Sequence, residues 1–195
     1  AQAARRFDGL AVPMGGEEVC GDGWTGFTSG DVTVLVMADG LGHGLHAADA
    51  SGKAVRAFEA RPDTDPERVI ATIHQSLAGS RGAAVACLAL DYAAGEAVFC
   101  GVGNIAGTLV GADGLKRMVS HSGTAGVAAR RIQAFRYPLA PGAVAVLHSD
   151  GLSTSWSLDR YPGLSNADPL LIAALLYRDH SRGRDDSGVV VAVGP

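Results

Sequence analysis

The segment Val32–Ala48 constrains the fold more than any other part of this 195-residue chain. Its apolar and β-branched run VTVLVMA ends at Asp39, and three alternate glycines and two histidines follow. A continuous apolar run of this length is typical of a strand buried on both faces. An aspartate at the end of such a strand is costly unless a partner neutralises it. The first question is therefore what pairs with Asp39.

Acidic residues recur at the ends of other predicted strands. The segment VAVLHSDGL repeats the pattern with Asp150, CGDGW places Asp22 between two glycines, and GRDDSGVVV has Asp185 and Asp186 directly before the last strand. A single Asp-Gly pair is a common turn. Several carboxylates from distant parts of the chain gather only if cations neutralise them, and all-oxygen ligands favour Mg²⁺ or Mn²⁺ over zinc.

A pair of such ions explains both the carboxylates and their neighbouring glycines. Two ions roughly 3.5–4 Å apart share a water, lower its pKa and hold phosphate oxygens for in-line attack. Glycine beside a carboxylate allows close backbone approach and frees a carbonyl oxygen as a further ligand. The sequence therefore predicts a two-metal site.

Length and composition narrow the class of protein. We expect a single domain over residues 1–195, or one cut from a longer chain, because the sequence begins without methionine. The net charge of −4 without a basic tract gives no sign of nucleic-acid binding. The apolar run PLLIAALLY is far shorter than the ~18 residues of a membrane span. Three unclustered cysteines fit a reduced, cytoplasmic chain.

The pattern of elements predicts an α+β fold. Helices are predicted at 43–60, 66–80 and 168–180, and strands at 7–12, 32–39, 83–92, 96–104, 107–114, 133–139, 142–150 and 188–194. Pro66 suits a first helical turn, and Asp168 is a natural N-cap. Short turns such as AAGE favour antiparallel pairing. We therefore expect layered sheets with helices packed outside them.

Five motifs across the chain carry a family resemblance. They are Gly21-Asp22, DGLGHG at 39–44, GVGN at 101–104, SDG at 149–151 and RDD at 184–186. Together they resemble the metal-dependent protein serine/threonine phosphatases of the protein phosphatase 2C superfamily, in its SpoIIE branch. The segment RGAAVACLALDYAAGEAVFCGVGN is most similar to the small RsbX-type phosphatases of the bacterial general stress response.

The resemblance implies an α-β-β-α sandwich, two antiparallel sheets between helical layers, with two Mn²⁺ or Mg²⁺ ions at one end. Asp39 would bridge both ions, the Gly40 carbonyl would bind one, Asp150 and Asp185 would bind the other, and Asp22 would hold metal-bound waters. The implied activity is hydrolysis of phosphoserine or phosphothreonine by a metal-bridged water. The implied partner is a phosphorylated STAS-type regulatory protein in a stress or sigma-factor pathway, and the implied state is a cytoplasmic monomer.

Three further residues are possible accessory members of the site: Asp186, His43 and Asn104. Asp185 is the preferred ligand because it occupies the first acidic place after the arginine, and Asp186 falls where many relatives have asparagine. Relatives of the eukaryotic type have a histidine after the first Asp-Gly, where this chain has Leu41. They also have a phosphate-gripping arginine before the first aspartate, where this chain has glutamates. His43 is close enough in sequence to help the reaction, whereas Asn104 better fits a turn.

Two other classes of protein remain as alternatives. GHGLHA matches the dinucleotide-binding pattern G-x-G-x-x-A at Gly42, Gly44 and Ala47. That pattern needs a parallel strand after its helix, where the sequence predicts a second helix instead. The other alternative is a non-catalytic interaction module with the phosphatase fold. The four acidic positions count against it, because an inactive site has no use for costly carboxylates.

Overall fold

Two five-stranded antiparallel sheets form the centre of the molecule. A computed structural model describes residues 7–112 and 114–194. The strands are β1 (Phe7–Val12), β2 (Asp22–Ser29), β3 (Val32–Gly40), β4 (Ala83–Asp91), β5 (Glu96–Val102), β6 (Ala106–Gly111), β7 (Gly114–Arg117), β8 (Ala134–Pro138), β9 (Val144–His148) and β10 (Ser187–Val193). The helices are α1 (Leu45–Ala60), α2 (Pro66–Ser76) and α3 (Pro169–His180), with short 3₁₀ turns at Leu158–Arg160 and Leu164–Asn166.

The sheets pack face to face, and helices cover their outer faces. The first sheet has the order β1-β10-β9-β6-β7 and the second has the order β2-β3-β4-β5-β8. Leu35, Phe99 and Leu147 belong to the core between the sheets. Helices α1 and α2 pack on the second sheet, and α3 packs on the first. Strands buried on both faces explain the continuous apolar runs, and the predicted α-β-β-α sandwich is confirmed.

Helix starts follow the predicted capping chemistry. Helix α2 begins at Pro66, and the Asp65 side chain before it accepts hydrogen bonds from the first-turn N–H groups. Helix α3 begins at Pro169, where the Asp168 carboxylate accepts from the Leu170 N–H at 2.9 Å. In the described residues, none of the helices is both long and apolar enough to cross a lipid bilayer.

The sequence did not predict strands β2 and β7, or that the chain passes from one sheet to the other between β5 and β6. β2 contains Gly23 and Gly26, which weaken the strand pattern, yet a Cβ at residue 26 would lie 2.6 Å from the Val34 carbonyl oxygen. The predicted strand 107–114 divides into β6 and the start of β7, and Asp113 within it lies outside the described residues. The short link from β5 to β6 does not make a hairpin, because β6 lies in the other sheet.

Candidate active site

Asp22 and Asp39 face each other on neighbouring strands. Asp22 is the first residue of β2 and pairs in register with Asp39 near the end of β3. Residues opposed in this way have Cβ atoms about 4.5–5.5 Å apart, and like charges there are destabilising. The second sheet therefore brings two acidic side chains together at one of its ends.

The first sheet contributes further carboxylates at the same end. Asp150 follows β9, and Asp185 precedes β10, which pairs antiparallel with β9. Ser149 joins the two sheets, because its Oγ donates to Asp22 Oδ2 at 2.6 Å and accepts from the Gly188 N–H at 3.0 Å. Carboxylates from four segments of the chain thus meet at one end of the sandwich. We call this group, Asp22, Asp39, Asp150 and Asp185, the acidic end.

Burial and mutual repulsion raise the pKa values of Asp22, Asp39 and Asp185. Burial raises the pKa of Asp39 to about 8, and the charges of Asp22, Asp150 and Asp185 add to the shift. Burial likewise raises the pKa of Asp22 to about 7, although its hydrogen bond from Ser149 opposes the rise. Desolvation also raises the pKa of Asp185. In the described part of the chain, none of these groups forms an ion pair with Lys, Arg or His.

The donor set suits a hard divalent cation. It consists of carboxylate oxygens, which Mg²⁺ and Mn²⁺ prefer. Asp22 is only 5% exposed, and its Oδ1 has no hydrogen-bond partner among the described residues. Within residues 7–112 and 114–194, no three acidic, histidine or cysteine side chains are arranged to hold one ion.

Glycines beside two of the aspartates allow the close packing of this end. A Cβ at Gly40 would collide with the carbonyl oxygen of Ala47 in α1. A Cβ at Gly151 would collide with the carbonyl oxygen of Asp186. The Asp-Gly pairs therefore have a structural reason here, since a larger residue would force the segments apart.

Asp186 has partners within the protein. Its Oδ1 accepts from the Met14 N–H at 2.8 Å and its Oδ2 from the Gly21 N–H at 2.9 Å. The side chain is 3% exposed. Asp186 therefore anchors the segment before β2, whereas Asp185 is exposed and accepts a hydrogen bond from the adjacent Asp186 N–H.

Asn104 and His43 both lie near the acidic end. Asn104 follows the end of β5, and its Nδ2 donates to Asp150 Oδ2 at 2.7 Å. This side chain therefore orients a carboxylate. His43 Nδ1 donates to Glu17 Oε1 at 2.5 Å. His43 lies in the loop that leads from β3 into α1, four residues after Asp39.

Sequence reasoning missed the role of Ser149. In the sequence, Ser149 is only a small polar residue before Asp150. Its hydrogen bond to Asp22 depends on how the two sheets pack, which the sequence does not show. His148 is a buried core histidine: its Nδ1 donates to the Ser149 carbonyl oxygen at 2.8 Å, and Trp156 Nε1 donates to its Nε2 at 3.2 Å. Burial lowers the pKa of His148.

Two antiparallel sheets, helices on both outer faces and an acidic end together define the protein phosphatase 2C type of domain. The model of the family "Stage II sporulation protein E (SpoIIE)" matches residues 29–184. The chain therefore belongs to the SpoIIE family, and the predicted family is confirmed.

Known relatives agree with this assignment. The phosphoserine phosphatase RsbX of Bacillus subtilis (strain 168) is 28% identical over 90 residues, which span 46% of this chain and 45% of that protein. One similar solved structure comes from work on the bacterial stressosome, described as a modular system adapted to control secondary messenger signalling. Its TM-score is 0.86 at 26% identity, and the match covers 96% of this chain and 98% of that one. RsbX in complex with magnesium has a TM-score of 0.81 at 20% identity, over 97% and 94% of the two chains.

The dinucleotide-binding alternative is wrong. The described strands pair antiparallel in both sheets, whereas a dinucleotide-binding fold needs a parallel sheet. Gly42 and Gly44 instead have φ angles of 86° and 70° in the turn that leads from β3 into α1.

Proposed function

We propose that this chain is a Mn²⁺- or Mg²⁺-dependent phosphatase that removes phosphate from phosphoserine or phosphothreonine in a protein. The observation that carries the proposal is the group of carboxylates at one end of the sandwich, without a cation from the described residues to neutralise them. An inert interaction module would bear the cost of this partly buried group of charges without using it.

Each acidic residue has a proposed role in holding two ions. Asp39, Asp150, Asp185 and the Gly40 carbonyl would hold the ions, with Asp39 shared between them, and Asp22 would hold water next to them. Ions bound there would neutralise the carboxylates, acidify the attacking water and stabilise charge on the phosphate. Ser149 and Asn104 keep Asp22 and Asp150 in place through the hydrogen bonds described above.

His43 has a proposed accessory role. The Glu17 carboxylate fixes the ring through Nδ1, and this leaves Nε2 as the nitrogen available to a substrate. His43 lies in the loop after Asp39, and an imidazolium ring there would supply the proton that the departing serine oxygen needs.

The proposed substrate is a small phosphorylated STAS-type regulator in a cytoplasmic stress pathway. Two similarities support it: the relative RsbX is named a phosphoserine phosphatase, and one similar structure comes from stressosome work. A third similar structure contains the RsbU and RsbW domains of Rv1364c from Mycobacterium tuberculosis, with a TM-score of 0.71 at 22% identity.

Phosphate release tests this function. The chain is incubated with Mn²⁺ and phosphorylated STAS proteins, and the matched control is the same protein with the phosphorylated serine replaced by alanine. We expect release from the phosphorylated form only, and none with EDTA. Release that persists in EDTA, or the absence of release from every phosphoprotein and from p-nitrophenyl phosphate, would contradict the proposal.

A further inference from the structure

Two large apolar side chains are exposed beside the acidic end. Leu41 is 48% exposed and Val127 is 63% exposed. They lie in different loops that meet at Gly82. The Leu41 N–H donates to the Gly82 carbonyl oxygen at 3.1 Å, and Val127 Cγ2 is 2.9 Å from the position of a Cβ on Gly82. Single exposed apolar residues are ordinary, but neighbouring ones at the rim of a site indicate contact with a partner.

An exposed arginine completes this surface. Arg81 directly precedes Gly82, and its Nη1 is 3.0 Å from the position of a Cβ on Gly42. Gly42 follows Asp39 in the loop that leads from β3 into α1. Among the described residues, Arg81 has no ion-pair partner. A cation therefore lies beside both the acidic end and the apolar pair. We call Leu41, Arg81 and Val127 the Gly82 surface.

Backbone hydrogen bonds hold the Gly82 surface in place. Ala83 and Ala125 exchange both of their N–H···O bonds, at 3.1 and 2.8 Å, which ties the loop of Val127 to the start of β4. The Gly126 N–H donates to His74 Nδ1 at 2.9 Å, which anchors the same loop to α2. A surface fixed in this way loses little conformational entropy when it binds a partner.

We propose that the Gly82 surface binds the polypeptide around the phosphorylated residue of the substrate. An apolar side chain next to the phosphoserine packs against Leu41 and Val127, and Arg81 donates hydrogen bonds to the phosphate. A phosphate of charge about −1.5 to −2 complements this arginine. The inference rests on the proposed function and adds to it a preference for apolar residues beside the phosphoserine.

Peptide binding tests the preference without any need for turnover. Two fluorescent peptides carry the non-hydrolysable phosphonate analogue of phosphoserine, one with flanking leucines and one with flanking serines. In fluorescence anisotropy with Mn²⁺, we expect the leucine peptide to bind about tenfold more tightly, the usual effect of one or two small apolar groups in a pocket. Leu41→Ser and Val127→Ser should each remove most of this difference. Leu170→Ser, which changes a leucine of similar exposure on α3, should leave it intact.

Arginine variants test the phosphate contact. Arg81→Ala should weaken binding of both peptides at least fivefold, and Arg81→Lys should restore part of it. The affinity for Mn²⁺ alone should stay within twofold, because Arg81 holds no ion. Equal affinity of the wild-type protein for both peptides would contradict the inference, as would an unchanged preference in the Leu41 and Val127 variants. Hydrolysis of p-nitrophenyl phosphate by the wild-type protein separately decides the proposed function.

Discussion

Carboxylates in two regions of this molecule have opposite surroundings. Between α1 and α2, Asp63 accepts two hydrogen bonds of 2.8 Å from Arg68, and these hold the pKa of Asp63 below its usual range. At the strand ends, burial raises the pKa of Asp39 to about 8. We call the Asp63–Arg68 pair between α1 and α2 the helical corner. There a neighbouring arginine neutralises the carboxylate, whereas among the described residues no cationic side chain does so at the acidic end.

The difference shows which region depends on something outside the chain. Solvent screens an exposed pair such as Asp63–Arg68, so the fold gains little from it. Unpaired carboxylates in a partly buried cluster instead reduce stability, because both desolvation and repulsion oppose their ionised forms. We infer that the acidic end receives its counter-charge from bound cations.

Removal of one central carboxylate should have the largest effect. With Mn²⁺ present, we expect Asp39→Asn or Asp150→Asn to lower kcat for p-nitrophenyl phosphate by about 10³-fold or more, because the ions provide most of the charge stabilisation. Circular dichroism should show an intact fold. The matched control is Asp63→Asn, which should retain full activity. Turnover like that of the wild type in either site variant would rule out the assigned roles.

The stability of the metal-free protein should depend on pH through the same groups. The folded-state pKa of Asp39 rises from its usual 3.8 to about 8, so the folded protein binds more protons than the unfolded chain across this range. The free energy of unfolding should therefore fall as the pH rises from 4 to 8, by about 2 kcal/mol or more. Denaturant titrations at several pH values measure this.

Two additions sharpen the pH experiment. Mn²⁺ should cancel most of the loss at pH 8, and Asp39→Asn should flatten the profile of the metal-free protein. A free energy of unfolding that rises steadily between pH 4 and 8 would show that the carboxylates are already neutralised within the chain.

Loss of the Ser149 hydroxyl should have a moderate effect. Ser149→Ala removes the 2.6 Å hydrogen bond to Asp22 and leaves that carboxylate less well oriented. Residues that orient metal ligands commonly change metal affinity 10–100-fold, and we expect the low end of that range. Mn²⁺ titration monitored by tryptophan fluorescence gives the affinity, and Ser153→Ala is a control at an exposed serine pair. Equal Mn²⁺ affinity in both variants would contradict this positioning role.

The smallest effect belongs to the helical corner. Asp63→Asn should change the free energy of unfolding by less than about 1 kcal/mol, because its partner Arg68 is exposed and solvent screens the pair. A larger loss in chemical denaturation would show that this corner contributes more to the fold than its exposure indicates.

The sequence predicts the strands and the acidic residues at their ends because each pattern lies within a short stretch of the chain. The apolar run before Asp39 and the repeated Asp-Gly pairs predicted both the buried strand and the group of carboxylates. Contacts between distant segments were not readable. The Ser149–Asp22 bond and the meeting of Leu41 with Val127 at Gly82 depend on how sheets and loops pack, which no spacing along the chain encodes.

Calorimetric titration of the protein with Mn²⁺ at pH 8 tests the central claim most directly. We predict that the wild-type protein binds two ions and that Asp39→Asn, which lacks the bridging carboxylate, loses at least one of them. Absence of Mn²⁺ and Mg²⁺ binding by the folded wild-type protein, or two-ion binding unchanged by Asp39→Asn, would contradict it.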